Sequence, residues 1–123
     1  MGSGPLGNER ALTEWIRKVL KELEVLVVKH GLRAPAVYAV VFFDDRSMPS
    51  ERSALKLSDD VFIGEGYIAI KITNVLPLLV ERVAAGYFAL SLIASGESPN
   101  PDRVWYLARK AVVPVLARLA LSS

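Results

Sequence analysis

Between Val75 and Ala94 the chain runs through an apolar stretch interrupted only by Glu81, Arg82 and Ser91. Asn74 can cap a helix there, Pro77 falls in its first turn where a missing N–H does no harm, and Gly96 ends it. The spacing therefore predicts a helix from Asn74 to about Ser95 that is apolar nearly all round. Such a helix must lie at the centre of a fold or press against a partner. Spanning a bilayer takes ~20 apolar residues, and this stretch reaches that length only by carrying Glu81 and Arg82 into lipid, which is costly. The expectation is no membrane insertion and a soluble, cytoplasmic chain. Ala85 and Ala89 form a small-residue strip along which another helix can approach closely.

The remaining segments read as cover for that helix. Residues 9–30 hold no Gly or Pro, and Leu12, Trp15, Ile16, Val19, Leu20, Leu23, Leu26 and Val27 recur at helical spacing. Asn8 can cap this helix and Gly31 supplies a left-handed stop. His30, the single histidine, sits at its C-terminal end, where the helix dipole accounts for it. Val37–Phe43 (VYAVVFF) is too short for a typical helix and reads as a strand buried on both faces. The polar segment 44–53 with Pro49 reads as a mobile loop. Ala54–Leu57 is a short strand. Val61–Ile63 and Tyr67–Ile72 flank Gly64-Glu65-Gly66 as a three-residue hairpin. A last helix starts at Asn100-Pro101-Asp102 and runs to about Leu121, with Pro114 expected to kink it.

The order predicts an α+β fold: an N-terminal helix, a small antiparallel sheet of three or four strands, and two C-terminal helices packed on it. Residues 1–7 (MGSGPLG) read as a disordered tail or a cloning scar, and 8–123 as one domain. With 52% hydrophobic and 23% charged residues, the chain lies far from disordered compositions. It has no Cys and one His, so disulfides and thiolate metal sites are excluded and an intrachain His zinc site is not expected. No Gln and three Asn, with Glu, Lys and Arg retained, is a hyperthermophile-like pattern. A net charge of +2 is too small to argue for nucleic acid by itself.

Few residues invite a chemical reading, and each has a plain alternative. Asp44 and Asp45 follow a strand directly, with Asp59, Asp60 and Glu65 nearby in sequence. Carboxylates of this kind can hold Mg²⁺ or simply meet water. Glu81, beside Arg82 on the apolar helix, must be paired, neutral or exposed. It reads either as a perturbed acid in a pocket or as half of an ion pair. The last helix carries Arg103, Arg109, Lys110 and Arg118 with Trp105 and Tyr106 among them. Cations bind phosphate and aromatic faces stack on bases; equally, the rings pack inward and the cations form a solvated face.

Two family resemblances rest on element order. Helix, three strands and helix, with acids near the middle strand, resembles the PD-(D/E)xK nuclease core. On that alignment either Ala69 stands where the second acid belongs, or Thr73 stands where the Lys belongs, so the implied metal site is incomplete. The same order looks like a minimal zincin scaffold, whose helix after the sheet carries HExxH. Here the stretch is Val80-Glu81-Arg82-Val83-Ala84: Glu81 matches the Glu, and Val80 and Ala84 replace both His ligands, which implies a degenerate relative without a zinc shell. No cofactor is expected. The leading expectation is a non-catalytic module that self-associates, as a dimer, through apolar helices 74–95 and 101–121. The alternatives are nucleic-acid binding by the last helix, or metal-dependent chemistry at the acids.

Overall fold

The computed structural model describes residues 9–46 and 54–122; residues 1–8, with the tail and the Asn8 cap, and most of segment 44–53 lie outside them. The elements are α1 (Glu9–Lys29), β1 (Ala39–Phe43), β2 (Leu55–Ser58), β3 (Val61–Gly64), β4 (Tyr67–Lys71), α2 (Leu76–Ala94) and α3 (Pro101–Ser122). The α+β class expected from the sequence is what the chain adopts. The sheet is mixed, however, not purely antiparallel. Its order is β1-β4-β3-β2, with β1 parallel to β4 and the other pairs antiparallel. Neighbours in sequence pair antiparallel when a tight turn joins them, as for β2–β3 and β3–β4. No tight turn joins β1 to β2, and these strands lie at opposite edges.

α1 buries Ile16, Val19, Leu23 and Val27 along one stripe and leaves Glu14, Arg17, Lys18 and Lys21 exposed. Both α1 and α2 end in the same way. Gly31 (φ 75°) and Gly96 (φ 80°) take left-handed conformations, and the next N–H reaches back to a helical carbonyl: Leu32 to Val27 at 2.9 Å and Glu97 to Leu92 at 2.8 Å. At the start of α2 the N-cap is Val75, not Asn74, and no side chain caps it. Asn100 does cap α3, accepting the Arg103 N–H at 3.2 Å. Pro114 is carried inside α3, which runs on to Ser122. The β3–β4 turn is one residue tighter than expected, because Gly64 pairs with Tyr67, and Gly66 (φ 79°) takes the left-handed position.

α2 is the central element. It packs on α1, α3, β3 and β4, and 12 of its 19 residues are buried. Its length and apolar composition would suit a membrane span, but most of that surface faces the chain's own core. Two serines near its end fasten the α1–β1 connection: Ser91 Oγ donates to the Arg33 carbonyl at 2.5 Å, and the Arg33 N–H donates to Ser95 Oγ at 2.9 Å.

Gly86 lets α2 settle on the sheet. A Cβ there would collide with Ile68 Cγ2 and lie 3.1 Å from Cγ1. Both atoms branch from Ile68 Cβ, and Ile68 is fully enclosed, so neither can swing away. Gly86→Ala gains about 1 kcal/mol of helix propensity against an overpacking cost of about 1–3 kcal/mol. We expect a net loss of up to about 2 kcal/mol in denaturant unfolding. Adding Ile68→Ala should make the combined loss smaller than the sum.

β1 departs furthest from expectation. It is shorter than Val37–Phe43, and it lies at the sheet edge instead of being buried on both faces. Only Phe43 is buried; Ala39 and Val41 are exposed, and Val40 and Phe42 are half-buried. A second apolar cluster lies on the face of the sheet away from the helices, where the Phe43 and Phe62 rings meet edge-on at 5.7 Å beside buried Ala69.

Candidate functional site

The aspartate candidates and Arg82 gather near the C-terminal ends of β1 and β4 and the β2–β3 turn, and each is engaged there. Asp45 meets Lys71 at 2.8 Å, and that contact raises the Lys71 ammonium above its ordinary range. Asp44 accepts the Arg46 N–H at 2.8 Å, closing a local turn. Asp59 takes Lys56 at 2.7 Å, and the lysine's hydrogen bond holds its carboxyl below the usual carboxylate range. Asp60 meets Arg82 Nη2 at 3.5 Å, while Arg82 Nη1 donates to the Lys71 carbonyl at 2.7 Å and the Lys71 N–H donates to the Asp60 carbonyl at 2.8 Å. Arg82 thus ties α2 to the β2–β3 turn and to the end of β4 in one clasp, with only 14% of its side chain exposed. Glu65 sits at the other end of the hairpin, away from these acids. Among the described residues no three His, Asp or Glu side chains converge as a metal shell would require.

Glu81 is half of an ion pair with Arg109 at 3.5 Å, joining α2 to α3. The other cations of α3 are likewise engaged. Arg103 contacts Glu97, Arg118 contacts Glu22 at 3.4 Å, and Lys110 donates to the Tyr106 hydroxyl at 3.0 Å and lies 5.0 Å from its ring centre. Trp105 packs against the core and donates its Nε1–H to the Leu57 carbonyl at 3.3 Å. Of the two rings, only Tyr106 faces out, 58% exposed. A basic face with two free aromatic platforms is therefore not assembled on α3.

The two family resemblances meet the same geometry. Ala69, at the position of the nuclease acid, is buried with Phe43 and Phe62. Thr73 caps the turn before α2, accepting the Val75 N–H at 3.2 Å. Val80 and Ala84, at the zincin histidine positions, are fully enclosed. That face of α2 is turned into the core, where no substrate could reach a metal.

The concave surfaces lie elsewhere, along α1, and no motif in the sequence marks them. One, about 610 Å³, runs past Glu14, Lys21, Glu24, Pro35, Val37 and Tyr87. The next, about 340 Å³, separates α1 from β1 and is walled by Ile16, Leu20, Val37, Val40 and Phe42. A third, about 270 Å³, lies between Val25 on α1 and Pro114 and Arg118 on α3. The signal for the second is present in the apolar run 37–43, whose lack of charge reads equally well as burial within one chain. His30 is exposed, its ring edge-on to Phe88 with centroids 6.0 Å apart.

Tyr87 lines the first of these grooves. Burial, with Glu24 adding, pushes its phenol up to about 12. An ordinary phenol near 10 ionises first in the unfolded chain. The stability associated with the buried neutral phenol is therefore complete below pH 10 and lost as pH rises toward 12. We expect wild type to lose about 1–2 kcal/mol more than Tyr87→Phe over that window in urea titrations.

The site geometry offers ion-pair clasps and grooves along α1, and among the described residues it offers no metal shell. Comparisons with protein-family models, with curated proteins and with solved structures find no match.

Proposed function

We propose that this chain is a non-catalytic module that works by self-association. One observation carries the reading: after α1, α2, α3 and the sheet have closed on each other, large apolar side chains still stand in water in two groups. One region takes in α3, with Leu121 82% and Val113 74% exposed, and α1, with Val28 61% and Val25 51% exposed, Val25 sharing a groove with Pro114 and Arg118 of α3. The other is the edge at β1, where Val41 is 45% exposed and Tyr38, just before the strand, 85% exposed. Grouped surface of this kind marks interaction sites more often than scattered single residues do. Of the two C-terminal helices, α3 keeps an open stripe, whereas α2 is largely enclosed and contributes only Val75, Leu78 and Ile93 near its ends.

Light scattering on the full chain at low micromolar concentration tests this. The expected mass is twice the 13.5 kDa of one copy. A strict monomer across that range would overturn the reading.

A further inference from the structure

We infer that two copies join edge to edge through β1, antiparallel about a two-fold axis at Val41, to make one continuous eight-stranded sheet. This rests on the self-association reading and names its surface. Among the described residues β1 has a single strand neighbour, β4. The Phe43 carbonyl accepts the Ile72 N–H at 3.0 Å, so Ala39, Val41 and Phe43 direct their main-chain groups toward β4. By alternation, Val40 and Phe42 direct theirs to the free edge. A free edge is normally blunted by a charge, a Pro or a bulge. The stretch Val37–Phe43 contains none of the first two, and from Ala39 to Phe43 the pairing with β4 is without a break in register.

The second copy fits this edge in three respects. The first is the hydrogen-bond register. With Val41 on the axis, Val40 of each copy stands opposite Phe42 of the other, and each such pair exchanges two main-chain hydrogen bonds. The two Val41 residues then form a non-hydrogen-bonded pair on the face away from the helices. The second is shape. Val40 and Phe42 wall the groove beneath α1, so the same register brings the second copy's Phe42 side chain to the mouth of that groove.

The third is charge. Antiparallel β1 strands set the two α1 helices antiparallel side by side. About an axis near Arg17, Arg10 and Glu14 of one copy lie toward Glu24 and Lys21 of the other, and the reverse pairs repeat the match. Arg17 and Lys18 near the axis are the unfavourable remainder, fewer than the favourable pairs. A single strand seam is narrower than the ~800 Å² per partner of a standard interface, and the flanking α1 helices supply the rest.

The chain has no Cys, which allows a direct test of register. Facing residues of a non-hydrogen-bonded antiparallel pair have Cα atoms about 4.5 Å apart, within disulfide reach. Val41→Cys should oxidise to a covalent dimer on a non-reducing gel. Ala39→Cys, facing Phe43 of the other copy, and Val113→Cys should not.

In light scattering, Val40→Pro deletes an N–H on the free edge without touching the β4 ladder, and Val41→Lys places like charges at the axis. Each should raise the dissociation constant by on the order of 100-fold and give a monomer of about 13.5 kDa, with an unchanged circular-dichroism spectrum. Val41 is exposed, so its Lys variant decides the matter if Val40→Pro fails to fold. The double variant Val113→Glu/Leu121→Glu should stay dimeric. A wild-type dimer that survives both β1 variants but dissociates in the α3 double variant overturns the β1 assignment and leaves self-association standing. A wild-type monomer overturns both, including one whose β1 edge instead takes up an extended peptide.

Discussion

Installing both histidines of a zincin helix, Val80→His with Ala84→His, should unfold this chain without creating a zinc site. Both positions are fully enclosed, on the face of α2 that meets the core. An imidazole buried without partners costs about 2–7 kcal/mol, and His in place of Ala84 also overfills the space. Two such changes together reach the ~5–15 kcal/mol that holds a domain of ordinary stability folded. The measurement is thermal unfolding followed by far-ultraviolet circular dichroism, with and without Zn²⁺. A folded double variant that binds one Zn²⁺ per chain would restore the zincin reading and show that this face of α2 can open.

Phe88→Ala is expected to lose about 3–5 kcal/mol, a large effect for a single truncation. Phe88 lies on α2, fully enclosed, with the His30 ring edge-on to it at the end of α1. Removing the ring leaves a cavity beneath α1 that little can fill, because the residues flanking Phe88, Tyr87 and Ala89, are themselves buried. The melting temperature should drop by roughly 10–20 °C. Phe88→Leu, which keeps most of the volume, should cost less than half as much. Equal losses for both variants would show that the ring's edge contact, not its volume, sets the stability.

Much of the fold is legible in side-chain spacing, and its limits are physical. The stripe of α1 can be read because Ile16, Val19, Leu23 and Val27 recur at helical period, and that stripe is what the core takes in. The central place of α2 follows from its lack of a polar face. The edge position of β1 cannot be read, because an uncharged run such as VYAVVFF says that both faces and an edge want cover without saying whose chain provides it. Mixed pairing escapes for a similar reason: strand order depends on long-range closure, and no local signal in segment 44–54 fixes it. Gly86 leaves a clue, since a glycine inside a helix costs about 1 kcal/mol against alanine and so points to a close approach. The candidate acids stand out as residues but not as partners. Lys56 stands three residues before Asp59, within local reach, but Asp45–Lys71 and Asp60–Arg82 exist only because the sheet brings their strands and α2 together.

The enclosed position of α2 bears on how the protein is made. α1 and all four strands precede it, and the apolar sides that face α2 cannot be covered until residue 94 has been added. A nascent chain of this kind leaves the ribosome with its greasiest surfaces bare until α2 emerges, the state in which chains associate wrongly or call on chaperones. Folding should then come late and in one step, and any stop codon before α2 is complete should yield aggregate instead of a smaller working piece.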